Sequence, residues 1–335
     1  MSRSIGRERP FARFTIARFA VAALLLAALM PDGARSEPYP SRPVRLVLGF
    51  APGTGSDVLG RGLTDRLSQQ TGGTFLPDNR PGAGGRIATR HVIDSDPDGY
   101  TLTLGTNATL IVVPALSTPP PYDIAKDLTP VSMVGRASMV LVTGNTTAAP
   151  KSVPELLMRL GKGSQSFSSA GVGTMGHLAA ELVLTTVGAK AVHVPYRGSS
   201  QSLTDVARGD VLFAVDTAAA VHPFVANGSL RPLAVTGDHR LGEIPNVPTF
   251  AEAGLGGAEI SAWWGVLAPA HTPPQIVTQL GDDIATAMQS AEMATFLGPL
   301  DIEPFVLRGD AFAAFIRKES DRLGGFIQRS GLHLE

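Results

Sequence analysis

Two loops of small residues carry the clearest chemistry in this 335-residue chain. The first, Ala51-Pro-Gly-Thr-Gly-Ser-Asp57, follows the apolar run Val44–Phe50 and opens a helical pattern. The second, Gly171-Val-Gly-Thr-Met-Gly-His177, follows Phe167-Ser-Ser-Ala170 in the same way, 120 residues later. A strand, a small-residue turn and a helix start leave backbone N–H groups without partners at the positive end of a helix dipole. Such a corner favours anions. Two corners facing across a cleft could hold a small anion without a metal, a cofactor or a catalytic base.

The candidate ligand contacts follow from those corners. They are Phe50, Pro52, Gly53, Thr54, Gly55, Ser56 and Asp57 in the first, and Ser169, Gly171, Val172, Gly173, Thr174 and His177 in the second. The amides near Gly55 and Gly173 and the hydroxyls of Ser56 and Thr174 are the expected direct contacts. The same hydroxyls also read as helix N-caps. Asp57, in a first helical turn, suits the dipole and is expected to point along the helix or to hold a water or a ligand amino group. His177 reads equally as a carboxylate donor and as a packed histidine. Asn107 follows a predicted strand, and Asp216 sits at a strand end, where α/β ligand sites collect. Arg197 could pair with an acid across the cleft or with a distal ligand carboxylate. A hydrogen bond to a charged acceptor contributes about 1.5–3 kcal/mol, so a handful could supply micromolar affinity without an arginine.

The elements that must position these residues alternate between strand and helix, which argues for α/β with mainly parallel sheets. Leu59, Leu63 and Leu67 give 56–70 a helical stripe with Ser56 as its N-cap. Ser152-Val-Pro-Glu155 is a capping box with proline in the first turn. Strands are predicted near 44–49, 100–105, 166–170, 191–194, 211–215 and 230–235. Long amphipathic helices are predicted over 274–290 and 309–329. Trp263 and Trp264 lie in an apolar run and are read as core. Two extended stretches, near 138–143 and 261–268, divide the chain into residues 37–140 plus 265–335 as one discontinuous lobe and 141–264 as the other. A single large sheet is the alternative.

Residues 1–36 read as a secretory signal peptide, with a basic start, the apolar run Phe19–Met30 and Ala34-Arg-Ser36 before the expected cut. The remainder carries a net charge of −5 and no basic run, which argues against nucleic-acid binding. There is no cysteine, so disulfides, thiolate metal sites and a cysteine nucleophile are excluded. The seven histidines show no i, i+4 ligand pairing, and no G-x-S-x-G elbow or H-E-x-x-H occurs. No metal or cofactor is expected. Gly171–Gly176 does fit G-x-G-x-x-G, with Arg197 as a conceivable 2′-phosphate contact, which keeps an NADP-dependent oxidoreductase as an alternative. A leader that exports the chain unfolded argues against it.

Taken in order, several motifs resemble one family. They are Tyr39-Pro-Ser-Arg-Pro-Val-Arg-Leu46, Ala51–Asp57, Asn79-Arg-Pro-Gly-Ala-Gly-Gly85, Pro97–Leu102, Gly105-Thr106, Ser169–His177, His193–Gly198, Pro245–Gly254 and Leu267-Ala-Pro269. The chain resembles the Bug-type receptors, the extracytoplasmic solute-binding components of tripartite tricarboxylate transporters. The resemblance implies a two-lobed, Venus-flytrap, type II-like periplasmic binding protein, each lobe a mainly parallel sheet flanked by helices. It implies a monomer without catalysis that holds a small organic acid between loops 51–57 and 169–177, with bridging waters, and docks on membrane transporter subunits. Asp216 falls on an acidic position of the family. Thr54 stands where the family usually has Gly, Ser56 where it has Thr, and Val172 and Met175 make the second loop less polar than usual. A ligand sensor that presents its closed form to a signalling partner would use the same binding physics.

Overall fold

The computed structural model describes residues 39–330, so the signal peptide expected over residues 1–36 lies outside the described residues. From Val44 onward, strands and helices alternate. β1 (Val44–Leu48), α1 (Gly55–Thr71), β2 (Phe75–Asn79), α2 (Arg86–Ile93) and β3 (Thr101–Thr106) form a first unit, with β1 parallel to both β2 and β3. Two short helices, α3 (Val113–Leu116) and α4 (Ile124–Asp127), lead into β4 (Leu128–Gly144). A second unit follows as α5 (Val153–Leu160), β5 (Ser166–Ser169), α6 (Met175–Thr186), β6 (Val192–Pro195), α7 (Ser199–Arg208), β7 (Phe213–Thr217), α8 (Ala218–Ala226) and β8 (Leu230–Val235). Here β5 is parallel to β6 and β7. The chain then forms β9 (Ser261–Pro269), α9 (Pro274–Met288), α10 (Ala291–Leu297), β10 (Glu303–Arg308), α11 (Gly309–Glu319) and α12 (Gly325–Ser330).

The 17-residue strand β4 runs through both units. Over Leu128–Ser138 it pairs antiparallel with β9, and β10 lies against its other edge around Ser132–Arg136. From Met139 onward it pairs antiparallel with β7 and β8 instead. The sheet is therefore mixed: the outer strands are parallel, as the alternation predicts, and those lying on β4 are antiparallel. For β9 the reason is the return path. The chain comes back from the second unit through residues 236–260 and enters β9 at Ser261, directly opposite Ser138 where β4 leaves. A strand that starts where its neighbour exits must run against it. β4 thus changes partners between Ser138 and Met139, within the stretch 138–143. The stretch 261–268 lies wholly against β3 and the first part of β4.

Burial explains the rest. Alternate side chains of β9 face opposite ways. Trp263 meets Phe312 and Phe315 edge-on, at ring distances of 5.9 and 5.4 Å, and seats α11 on the sheet. Trp264 faces away from that helix, toward the start of α1. At α5 half of the predicted capping box forms: the Ser152 hydroxyl accepts the Glu155 amide, while the Glu155 carboxylate accepts the amide of Lys151, one residue before the cap, at 2.8 Å. The helix predicted over 309–329 forms, running from α11 to α12 through a π-helical turn at Ser320–Gly324. Strand β2, read Phe-Leu-Pro-Asp-Asn, lacks apolar alternation and carries a proline, which suits its place at a sheet edge.

Candidate functional site

The two loops are built to one plan. Thr54 and Thr174 are the N-caps of α1 and α6, each hydroxyl accepting the amide three residues on, at 3.4 Å from Asp57 and from His177. Each hydroxyl also donates back, Thr54 to the Ala51 carbonyl at 2.9 Å and Thr174 to the Gly171 carbonyl at 2.8 Å. Gly53 and Gly173 turn the chain with φ of +85° and +77°, conformations that favour glycine. Each glycine amide is taken by the residue four places later. Gly53 donates to Asp57 Oδ2 at 2.8 Å, and Gly173 to His177 Nδ1 at 3.1 Å.

This plan corrects one expectation: the cap of α1 is Thr54, and Ser56 lies inside the first turn. It also decides which donors stay open. The amides of Gly53, Thr54, Gly173 and Thr174 are all engaged internally. Those of Gly55 and Ser56 in the first loop, and of Met175 and Gly176 in the second, have no partner among the described residues. The Ser56 hydroxyl accepts the indole N–H of Trp264 at 2.8 Å, which leaves its own proton to be donated outward. Thr174, in contrast, is committed on both sides.

Both corners stand over one face of β4. A β-carbon at Gly55 would lie 4.0 Å from the Trp264 ring, and Trp264 pairs with Gly135. A β-carbon at Gly176 would lie 2.4 Å from the Val215 carbonyl oxygen and 4.0 Å from the Met139 side chain. Gly135 and Met139 are four residues apart on a strand, hence on the same face and about 13 Å apart.

The charged candidates turn inward. The Asp57 carboxylate accepts Arg61 Nε at 3.0 Å and Asn79 Nδ2 at 2.8 Å besides Gly53. Burial pushes its pKa up, but these bonds outweigh it and hold the carboxyl below the usual range. Asn79 also donates to the Phe50 carbonyl at 3.1 Å, which closes the first loop. His177 is buried, stacked on His193 at 3.9 Å between ring centres, and Phe167 extends the stack. Burial, then the neighbouring His193, lowers the His177 pKa to about 4. Buried Ser169 lies 2.7 Å from His193 Nε2 and accepts the Gly171 amide at 3.1 Å. Buried Asp216 accepts the Thr217 amide at 2.7 Å, and desolvation raises its pKa. Buried Asn107 donates to the Ser261 carbonyl at 2.8 Å, tying β3 to the start of β9. Pro52, Val172 and Arg197 are exposed.

Sequence reasoning read Trp264 as core only and gave Asn79, Arg61 and His193 no place in the site. The i, i+4 spacing of Asp57 and Arg61 was the one signal among them. A cavity of about 840 Å³ lies elsewhere, walled by Leu110, Ile111, Ile124 and Ile316 together with Asp123, Arg317 and Asp321.

Two α/β units threaded by one long strand, with a matching helix-start corner in each, define a two-lobed solute-binding protein of the periplasmic type. The chain belongs to the family described as the tripartite tricarboxylate transporter family receptor, which matches residues 59–332. It is 34% identical over 304 residues to protein BugT of Bordetella pertussis, covering 90% of this chain and 93% of that one. Among solved structures, R. palustris Rpa4515 with adipate superposes with a TM-score of 0.78 at 32% identity, covering 88% and 99% of the two chains. MatC from Rhodopseudomonas palustris with bound malate gives 0.74 at 26% identity, covering 86% of this chain and all of that one. The resemblance read from the motifs is thus borne out, and the protein is a receptor rather than an enzyme.

Proposed function

We propose that this protein captures a small organic carboxylate in the periplasm, between the 51–57 and 169–177 loops, and delivers it to a tripartite tricarboxylate-type membrane transporter. The observation that carries the reading is the set of four open amides, Gly55, Ser56, Met175 and Gly176, joined by the outward proton of Ser56. Together they offer five donors. Adipate and malate in the related structures support the ligand class. Thr54, Thr174, Gly53 and Gly173 serve the site by holding its backbone. Residues 37–140 with 265–335 act as one lobe and 141–264 as the other, and the hand-over at Ser138 supports that division. Ligand bridging the lobes favours the closed form, which docks on the transporter.

A thermal-shift screen against adipate, malate, citrate and an aromatic acid, with NADP as control, tests the reading. A ligand present at 100 times its Kd adds about 2.7 kcal/mol of stability. At least one acid should raise the transition and NADP should not. If every acid were silent and NADP active, the oxidoreductase alternative would take over.

A further inference from the structure

Behind the second loop lies a group that the carboxylate reading leaves without a task. His177 Nδ1 accepts the Gly173 amide at 3.1 Å, so the ring is neutral there, with its proton on Nε2. That nitrogen faces Glu181 Oε1 of the same helix at 3.9 Å. From β6, the His193 ring stacks at 3.9 Å, nearly parallel at 11°. From β5, Phe167 stacks on both imidazoles, and Ser169 holds His193. On β7 the ionisable group is Asp216, whose carboxyl is engaged by Thr217. The stack fixes the plane of His177, and its Nδ1 lone pair fixes Gly173.

The first loop performs the same task with a different group. Asp57 occupies the position equivalent to His177 and accepts Gly53 as a carboxylate. The carboxylate keeps its acceptor until strong acid. The imidazole loses its lone pair on protonation, and an Nδ1–H would then point at the Gly173 N–H, donor against donor.

We propose that His177, braced by His193, is the positioning residue of the second corner: its neutral ring sets the loop that aims the Met175 and Gly176 amides, and its protonation lets the acid ligand go. The proposal rests on the receptor reading above. It places the pH sensitivity of binding in one corner only, because the other is held by Asp57.

The test uses the full mature chain and the panel adipate, malate and citrate, followed by calorimetry. His177→Asn keeps an acceptor near the Nδ1 position and should bind within about threefold of wild type. His177→Leu, apolar and of similar reach, should bind at least tenfold more weakly. Against the ligand's own titration, the wild-type loss of affinity between pH 7 and pH 4 should exceed that of His177→Asn. In the ligand-free protein, the Gly173 amide proton resonance should titrate together with the His177 ring, and this readout stands even if a variant fails to fold. Equal affinity of the Leu variant and wild type, or a Gly173 resonance indifferent to the His177 titration, would overturn the positioning role and leave the receptor standing. Silence of the wild type toward every acid would overturn both.

Discussion

At the scale of single residues, the division of labour in the site follows from hydroxyl valence. Ser56 accepts from Trp264 and keeps a proton to give, whereas Thr54 and Thr174 accept and donate within their own loops. Ser56→Ala should therefore raise Kd for the acid ligand by about 10- to 100-fold, the value of one hydrogen bond to a charged acceptor. Calorimetry reads this directly, and an unchanged Kd would remove Ser56 from the site. Asp57 acts on stability instead. Its replacement by alanine strands the donors of Gly53, Arg61 and Asn79 and should cost about 1–3 kcal/mol in urea unfolding at neutral pH. Its pKa is lowered on folding, so this contribution is present above the ordinary 3.8 and is lost as pH falls through the lowered value. The difference between wild type and Asp57→Ala should thus shrink in strong acid and stay constant from pH 5 to 8. The residue types of both corners were legible in the sequence. Which of their donors stay open was not, because that depends on partners such as Trp264, 208 residues from Ser56 in the chain.

At the scale of elements, the two strand–turn–helix corners show how far local pattern reaches. Their glycine and threonine positions match across the 120-residue offset, and both fold the same way because the φ-positive glycine and the threonine cap are local devices. The corners differ where tertiary packing intervenes. Ser56 has room beside Trp264, while the equivalent Gly176 is pressed on the Val215 carbonyl, 2.4 Å from where a β-carbon would sit. Gly176→Ser, which copies the first corner into the second, should destabilise by about 1–3 kcal/mol through overpacking, seen as a lower midpoint in thermal unfolding. A neutral outcome would mean that α6 can shift off β7, and the geometry of the second corner would have to be redrawn. Helices with regular stripes and capping signals, such as α1 and α5, were readable in advance. β2 and β10 were not. Each carries a proline and sits at the margin of the pairing pattern, and neither shows strand alternation. The antiparallel direction of β9 on β4 was equally hidden, since it is set by the return of residues 236–260 and not by the strand's own sequence.

At the scale of the whole molecule, the proposed function requires relative motion of the two units, and β4 is the strand that both share. Arg136 bridges them beside the hand-over, donating to Glu303 of β10 at 2.8 Å and to Asp238, just after β8, at 3.3 Å. A tether so close to the shared strand permits rotation about it while resisting separation. Closure on a ligand should then bring the far edges together. The chain has no cysteine, so Leu76→Cys on β2 and Met158→Cys on α5, both exposed sites in different units, can carry a donor and an acceptor dye without background. The acid that stabilises the protein most should raise transfer efficiency between them, saturating at the concentration set by its calorimetric Kd. Ser56→Ala should need more acid and reach the same plateau, because the mutation weakens the grip without altering the closed geometry. A plateau lowered in Ser56→Ala would mean that Ser56 shapes closure itself. Binding with no change in transfer at all would mean that the acid is held by one unit, and the opposed-corner arrangement would fail.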